Sequence, residues 1–398
     1  MATSAVQVPA SGPVGQPDIG CTPDHDKYLE RESLPPGFPH RLYSDLVWDG
    51  NSLAETYDWN YRLTEEDINE IEAALRHFKS LNKPQSYITQ STFPLPNLHH
   101  TLRQVSNELH NGHGFKVVRG LPVTSHTREE NIIIYAGVSS HVAPLRGRQD
   151  NAHNGQPADV VLAHIKDLST TVSDKTKIGV PAYTTEKQVF HTDVGDTVAL
   201  FCLGEAAEGG QSFLSSSWKV YNELAATRPD LVRTLAEPWV ADESGKEGRK
   251  FSVRPLLHYL PPPSSPGPKP ERLIIQYARR TFTGYWGLPR SADIPPITEA
   301  QAEALDALHF TAEKYAVGLD FKQGDIQFVN NLSIFHARAG FNRDDGERQR
   351  HLVRLWLRDP ELAWETPEVL SERWERVYGG IRSASRGESV GTQGGGGY

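Results

Sequence analysis

The chain has 398 residues, of which 37% are apolar and 23% charged, and its formal net charge is −9. This length permits one large domain or two ordinary ones, and the acidic balance, without a block of five like charges, argues against a nucleic-acid partner or an anionic membrane surface. Two cysteines form no disulfide framework, and with no membrane-length apolar run and no secretory signal at the N-terminus we expect a cytoplasmic protein.

Both ends of the sequence have the composition of unstructured segments. Residues 1–30 are rich in Pro, Gly and Ser, and residues 381–398 are dominated by Gly and Ser. Such segments bury too little apolar surface to offset the entropy lost on ordering. We therefore expect a disordered N-terminal segment, a single domain over residues 31–380 and a disordered tail.

The first elements predicted along the chain are two amphipathic helices. TEEDINEIEAALRHFKSLN (64–82) opens on Thr64 as an N-cap with Asp67 three residues later, and its apolar residues recur on one helical face. NLHHTLRQVSNELHNG (97–112) has the same periodicity and stops at Gly112. Further helices are predicted at 217–226, 299–316 and 367–376.

The predicted strands are short, numerous and irregularly spaced. They cover 115–120, 159–165, 197–203, 272–277, 325–331 and 351–357. The long, uneven connections between them disfavour a parallel doubly wound sheet, in which strands and helices alternate regularly. They favour a mainly β, α+β fold, an antiparallel sandwich or jelly roll with helices packed outside.

The segment QVFHTDVGDTVALF (188–201) has the composition of a buried strand but carries the ionisable groups His191 and Asp193 near its start. In a strand, residues two apart project to the same face. One imidazole and one carboxylate are two of the three ligands in a 2-His-1-carboxylate site for Fe(II). The candidate for the third ligand is His336, at the end of the strand signal in QGDIQFVNNLSIFHARAGF.

A structural role for the same pair is an alternative. In a chain with 16 histidines, about one His-x-Asp triplet is expected by chance. A buried hydrogen bond between His191 and Asp193 would have the same sequence pattern. The triplet alone therefore does not decide between a metal site and a structural contact.

The segment RHLVRLWLRD (350–359) adds two cations at strand spacing. Alternation places Arg350 and Arg354 on one face of a strand. That face lies either in water or toward the interior. If it lies inside, unpaired guanidiniums would cost several kcal/mol each, on the order of a desolvated charge, so both would need anions, and arginine grips carboxylates with two parallel hydrogen bonds.

The order of these motifs resembles that of the TauD/TfdA-type Fe(II)/2-oxoglutarate-dependent dioxygenases. The sequence runs from His191-Thr-Asp193 through Gly209-Gly210-Gln-Ser212 and a Gly-Asp pair at 324–325 to His336, Arg350 and Arg354. The resemblance covers about residues 112–358. It implies a double-stranded β-helix, which agrees with the jelly roll predicted from the strand pattern.

The resemblance also implies roles for individual residues. The iron ligands would be His191, Asp193 and His336. Arg350 would bind the distal carboxylate of 2-oxoglutarate, with the hydroxyl of Ser212 assisting. Because the segment between His336 and Arg350 is longer than usual, Arg348 is the alternative anchor, while Arg354 matches a position that in some members grips an anionic substrate.

The implied activity is oxidation of a small anionic metabolite with Fe(II), 2-oxoglutarate and O₂, releasing succinate and CO₂. An amino acid or amino-acid-derived carboxylate is the favoured substrate, with a sulfonate next. Hydrogen abstraction would lead to hydroxylation, desaturation or oxidative cyclisation. Two alternatives stay open: a metal-dependent jelly-roll enzyme that does not use 2-oxoglutarate, and a non-catalytic binding protein with a decayed site. The oligomeric state is not predicted.

Overall fold

The computed structural model describes residues 33–153, 156–169, 171–174, 178, 180–243, 251–262, 270–285, 290–342 and 349–380. The two segments predicted to be disordered lie outside the described residues. Within the described ranges, every helix is too short or too polar to cross a membrane.

The described residues contain eight α-helices. They are α1 (Glu65–Ser80), α2 (Leu98–Asn111), α3 (Arg128–Val142), α4 (Ser217–Thr227), α5 (Pro229–Ala236), α6 (Arg280–Thr283), α7 (Glu299–Lys314) and α8 (Glu368–Tyr378).

The strands are short, as the sequence predicts. They are β1 (Asn60–Arg62), β2 (Phe115–Arg119), β3 (Leu145–Gly147), β4 (Asp150–His153), β5 (Gln156–Val160), β6 (Leu162–Lys166), β7 (Gln188–His191), β8 (Thr197–Gly204), β9 (Glu208–Gly209), β10 (Ser212–Ser216), β11 (Trp239–Asp242), β12 (Phe251–Arg254), β13 (Leu257–Leu260), β14 (Arg272–Ile275), β15 (Val317–Leu319), β16 (Ile326–Asn330), β17 (Ile334–Arg338), β18 (Phe341–Asn342) and β19 (His351–Arg358).

Two sheets pack face to face and form the core. The larger has the order β1-β2-β16-β8-β19-β3, with β6 also paired to β19, and the smaller has the order β15-β10-β17-β7. Within them every pairing is antiparallel except that of β1 with β2. Phe115 and Val329 of the larger sheet pack against Leu214 and Ile334 of the smaller one. The predicted mainly β jelly roll with flanking helices is confirmed.

Helices cover the outer face of each sheet. The apolar faces of α1, α2 and α3 pack on the larger sheet, and those of α4, α5 and α7 pack on the smaller. The predicted start of α1 is confirmed, because the Thr64 hydroxyl accepts from the Asp67 amide and the Asp67 carboxylate accepts from the Thr64 amide. The other four predicted helices and the predicted end of α2 at Gly112 are also present.

The fold differs from the prediction in several elements, and helices α3, α5 and α6 were not predicted. The strand predicted at 159–165 is divided between β5 and β6. Helix α3 was not predicted, because nearly every residue from Ile133 to Val142 is buried and the helix has no polar face to reveal its period. One of its side chains, Tyr135, donates a hydrogen bond to the Ala199 carbonyl of β8 (2.8 Å), which ties the helix to the larger sheet.

Candidate metal centre

Two histidines from adjacent strands of the smaller sheet face each other. His191 is the last residue of β7, and β17 pairs with β7 so that His336 lies opposite it. Their ring centroids are 4.2 Å apart. His336 lies in the middle of β17 rather than at the end of the preceding strand signal, because β16 ends at Asn330 and a turn separates the two strands.

Asp193 reaches the same point from a turn, not from a continuous strand. The interpretation of 188–201 as mostly one strand is wrong: β7 ends at His191, and β8 begins at Thr197 in the other sheet. The side chain of Asn331 holds this turn. Its Oδ1 accepts from the Asp193 amide (2.7 Å), and its Nδ2 donates to the carbonyls of Asp193 (2.8 Å) and Gly195 (2.8 Å).

The three side chains converge despite this difference. Asp193 Oδ1 lies 3.9 Å from His191 Nε2, and Asp193 Oδ2 lies 3.9 Å from His336 Nε2. One donor atom from each residue lies within 4.8 Å of the other two, an arrangement that suits a single metal ion. Asp193 with a single histidine would be an ordinary structural His–Asp pair, so the convergence of all three side chains is the informative observation.

Both imidazoles are in the form that binds metal. His191 Nδ1 donates to the Val189 carbonyl (2.8 Å), which leaves a lone pair on Nε2. Burial lowers the pKa of His191, and burial followed by the neighbouring His191 ring lowers the pKa of His336 to about 3. The rings are therefore neutral at physiological pH, as metal ligation requires.

The Asp193 carboxylate is ionised and accepts hydrogen bonds from two side chains of β19. Its Oδ2 accepts from Arg354 Nη1 (2.7 Å) and from Trp356 Nε1 (3.2 Å). Burial alone would raise the pKa of Asp193, but the Arg354 guanidinium and the two facing imidazoles keep that pKa well below its usual range. Hydrogen bonds of this kind orient a ligating carboxylate.

A cavity beside the three residues brings together the remaining predicted site residues. It is lined by His191, Asp193, Ser212, His336, Arg350 and Arg354, together with Ile165, Ala182, Gln188, Val198, Leu200, Ala337, Arg338 and Leu352. The predicted alternation of β19 is confirmed: Leu352 and Arg354 line the cavity, whereas Val353 and Leu355 pack toward the helices. Arg348 lies outside the described residues.

Arg350 is a buried cation without an anionic partner among the described residues. It is 9% exposed, and its guanidinium carbon lies 5.8 Å from the centre of the Phe341 ring. Burial lowers its pKa to about 10, so it is still charged. Gly210, at φ +72°, lets the chain pass close by, since a Cβ there would lie 3.0 Å from Arg350 Cδ. A charge enclosed in this way requires an anion from solution.

Ser212 and Arg338 complete this side of the cavity. Ser212 donates to Gln327 Oε1 (2.9 Å), and Gln327 is itself fully buried. Arg338 donates to the carbonyls of Pro181 (3.3 Å) and Thr184 (3.0 Å), so it fastens the preceding loop. Arg338 was not predicted, although its position two residues after His336 in a strand was a usable signal.

Helix α8 supports the turn that carries Asp193. Trp374 donates from Nε1 to Asp196 Oδ1 (2.5 Å), and Arg358 forms an ion pair with Asp196 Oδ2 (2.9 Å). The Tyr378 hydroxyl accepts from the Asp196 amide (3.0 Å) and donates to the Leu357 carbonyl (2.9 Å). The turn is thereby fixed to both β19 and the last described helix.

Gly195→Ala is expected to disturb this turn. Gly195 has φ +99°, and a Cβ there would lie 2.6 Å from the Tyr378 hydroxyl oxygen. Backbone strain and overpacking together should lower the free energy of unfolding by about 2–4 kcal/mol, measured by urea denaturation. Gly37→Ala is the matched control, because Gly37 has φ +87° but open space around it, and it should lose only about 1–2 kcal/mol. Equal losses in the two variants would contradict the role of the Tyr378 contact.

Asp196→Asn is expected to change how stability depends on pH. Burial raises the pKa of Asp196 to about 6, against the opposing effects of Arg358 and Trp374. A folded-state pKa above the unfolded value means that this group stabilises the fold when protonated, and that the contribution is lost as pH rises from about 4 through about 6. The asparagine variant lacks that loss. Its free energy of unfolding relative to wild type should therefore rise by up to about 3 kcal/mol between pH 4 and 7, and parallel curves would contradict the assignment.

Comparison with known proteins identifies relatives along most of the chain. The family model described as Taurine catabolism dioxygenase TauD, TfdA family matches residues 78–356. Taurine hydroxylase-like protein SAT17 of Stachybotrys chartarum is 37% identical over 383 residues, covering 95% of this chain and 94% of the relative. FR-33289 synthase of Streptomyces rubellomurinus is 24% identical over 347 residues, covering 85% and 95% respectively.

A solved structure has the same fold. Asparagine oxygenase in complex with Fe(II), 2S,3S-3-hydroxyasparagine and succinate superimposes with a TM-score of 0.54 at 15% sequence identity. The alignment covers 77% of this chain and 98% of that protein. At this identity the likeness concerns the fold alone.

Proposed function

This chain belongs to the taurine catabolism dioxygenase TauD, TfdA family, and from that premise we propose that it oxidises a small anionic metabolite. As a member of the family it is a dioxygenase that uses Fe(II), 2-oxoglutarate and O₂. The proposed substrate is an amino acid or an amino-acid-derived carboxylate, with a sulfonate as the second choice. The name of the Stachybotrys relative refers to taurine, a sulfonate, and the asparagine oxygenase structure holds a hydroxylated amino acid.

The convergence of His191, Asp193 and His336 beside a cavity with an unpaired Arg350 carries the proposal. The donor set fits Fe(II): two neutral imidazoles and one carboxylate leave the ion with partial charge balance and with open positions. These three residues are assigned as the iron ligands. Bound there, Fe(II) supplies the oxidising chemistry in which O₂ converts 2-oxoglutarate to succinate and CO₂ and hydrogen is abstracted from the substrate.

Arg350 is assigned as the anchor of 2-oxoglutarate. Its guanidinium lies in the same cavity as the iron ligands, and it has no carboxylate partner among the described residues. The distal carboxylate of 2-oxoglutarate supplies the missing anion through a two-pronged contact. Ser212, which lines the same cavity, would turn its hydroxyl from Gln327 Oε1 to donate to this carboxylate.

The remaining residues position the substrate and exclude water. Arg354, already hydrogen-bonded to Asp193, offers its guanidinium to an anionic group of the substrate. The apolar walls formed by Ile165, Leu200 and Leu352 keep the 2-oxoglutarate side dry. A substrate C–H bond held beside the iron can then lead to hydroxylation, desaturation or ring closure.

The test is anaerobic addition of Fe(II) and 2-oxoglutarate to the full chain. We expect a visible charge-transfer band from the chelate, and a shift of this band when a substrate from a panel of amino acids, taurine and related acids binds. On admission of O₂, succinate should be released in step with substrate loss. A chain that binds Fe(II) but neither forms the band nor turns over 2-oxoglutarate would contradict the proposal.

A further inference from the structure

A second group of guanidiniums lies near Asp193 but outside the cavity that holds Arg350. It consists of Arg254 at the end of β12, Arg280 at the start of α6 and Arg373 in α8, and is called the arginine cluster below. Gln276 connects it to the metal centre. Gln276 donates from Nε2 to the Asp193 carbonyl (2.7 Å), its own carbonyl accepts from Arg254 (3.3 Å), and its Oε1 accepts from Arg373 (3.4 Å).

The cluster also interacts electrostatically with the centre. Arg280 interacts electrostatically with both the Asp193 carboxylate and the Arg354 guanidinium, and Arg373 interacts in the same way with Asp193 and Arg280. Arg280 and Arg373, together with Arg354, therefore place positive charge on one side of Asp193, and Arg254 interacts with Arg373.

The arginines of the cluster lack the carboxylate partners that the buried Arg228 has. Arg228 is fully buried and pairs with Asp230 (2.6 Å) and Glu303 (2.7 Å). By contrast, in the described part of the chain no carboxylate lies within 4.0 Å of a guanidinium nitrogen of Arg254, Arg280 or Arg373. The buried Nε atoms of Arg254 and Arg373 have no hydrogen-bond partner there.

Desolvation without pairing is costly for these groups. Burial lowers the pKa of Arg254 to about 9 and that of Arg373 to about 10. Glu243 acts in the opposite direction on the pKa of Arg254, and Glu243 and Asp193 do so on the pKa of Arg373. Glu243 is itself 3.5 Å from Arg376. Arg228 offsets the same cost with short bonds to two carboxylates, whereas Arg254 and Arg373 make only long bonds to carbonyl and amide oxygens.

The charge balance points to the kind of ligand that is missing. Asp193 is shared between Arg354 and the proposed iron site, so it does not neutralise the cluster. A substrate with a single carboxylate would satisfy Arg354 and leave Arg280 and Arg373 without an anion. We infer that the arginine cluster binds a second negative charge of the substrate, so that the substrate is a small doubly charged acid, either a phosphate monoester or a dicarboxylate. This inference rests on the proposed function and narrows its substrate class.

The test compares acids of different charge on matched carbon chains. The full chain, loaded anaerobically with Fe(II) and 2-oxoglutarate, is titrated with taurine against O-phosphoethanolamine and with asparagine against aspartate, and affinities are read from the chelate band and by calorimetry. In at least one pair the doubly charged acid should bind about tenfold more tightly, since it gains a charge-assisted contact. The pair that responds distinguishes a phosphate from a dicarboxylate. Equal affinities in both pairs would overturn the inference.

Variants test whether the preference for doubly charged acids depends on the arginine cluster or only on the overall charge of the protein. Arg280→Gln and Arg373→Gln should each reduce the preference to about threefold or less, whereas Arg373→Lys should keep most of it because the charge remains. Arg76→Gln, on the exposed face of α1, is the control and should behave as wild type. Loss of preference in Arg373→Lys as large as in Arg373→Gln would mean that Arg373 has a structural role and would overturn its assignment.

A separate measurement keeps the two proposals distinguishable. If no chelate band forms in wild type, the proposed function fails, and calorimetry of inorganic phosphate binding to the metal-free chain then decides the inference. Weaker phosphate binding in Arg280→Gln and Arg373→Gln than in Arg76→Gln would support an anion site at the cluster. Phosphate binding unchanged by both substitutions would overturn it.

Discussion

His336→Ala should remove tight Fe(II) binding and lower turnover by about 10³-fold or more, since the bound metal contributes several kcal/mol to the reaction. The imidazole lies opposite His191 with its Nε2 facing Asp193, and burial keeps it neutral. Without it, two protein ligands are left, too few to hold the ion in a defined geometry. Metal affinity is measured by anaerobic calorimetry, and turnover by succinate release.

His309→Ala is the matched control for this substitution. His309 is a fully buried histidine, with a pKa lowered to about 3 by burial, and it packs in α7 against Phe190 at a ring distance of 5.9 Å. Deleting this ring removes similar buried volume without removing a proposed ligand. Unfolding should therefore be affected about equally in the two variants, while only His336→Ala loses Fe(II). Retention of wild-type metal affinity in His336→Ala would refute the assignment of the ligands.

Arg350→Leu should raise the 2-oxoglutarate concentration needed for half-maximal activity by about 10²- to 10³-fold, the usual cost of removing one partner from a buried charge pair. The leucine keeps the apolar contacts of the side chain but removes the guanidinium. Fe(II) affinity without 2-oxoglutarate should hardly change, because Arg350 contacts none of the three proposed ligands through a hydrogen bond or ion pair in the described part of the chain. This split between metal and 2-oxoglutarate binding is the diagnostic result.

Two further variants complete the comparison. Arg350→Lys should recover part of the affinity, since lysine keeps the charge but loses the two-pronged contact. Arg348→Leu tests the alternative anchor predicted from the sequence and should leave 2-oxoglutarate dependence unchanged. Unaltered activity in Arg350→Leu would favour the alternative of a metal-dependent enzyme that does not use 2-oxoglutarate.

The sequence predicted which side chains lie together at the candidate site better than it predicted the geometry that brings them together. His191 and Asp193 were paired on the assumption of strand alternation, whereas Gly195 and Asn331 in fact shape a turn that brings Asp193 back toward the histidines. Turns that depend on a distant side chain leave no local periodic signal. The alternation of β19, in contrast, depends only on strand geometry, and the positions of Arg350 and Arg354 followed from it.

The arginine cluster could not be recognised from sequence. Arg254, Arg280 and Arg373 belong to a hairpin strand, a one-turn helix and a C-terminal helix that are far apart along the chain. None of them lies in a motif, and each alone resembles an ordinary surface cation. Only the three-dimensional structure reveals their proximity: Arg254 and Arg373 both donate to Gln276, and Arg280 interacts electrostatically with Arg373.

The contacts of α8 define how much of the polypeptide is needed for an active enzyme. The family match ends at residue 356, yet Trp374 and Tyr378 hold the loop of Asp193 from beyond that limit. A chain shortened to residues 78–356 would retain all three proposed iron ligands and Arg350, but not the brace that orients one of those ligands. The limits of the family model alone would thus set the boundary too early, and affinity tags or fusions are better placed away from α8.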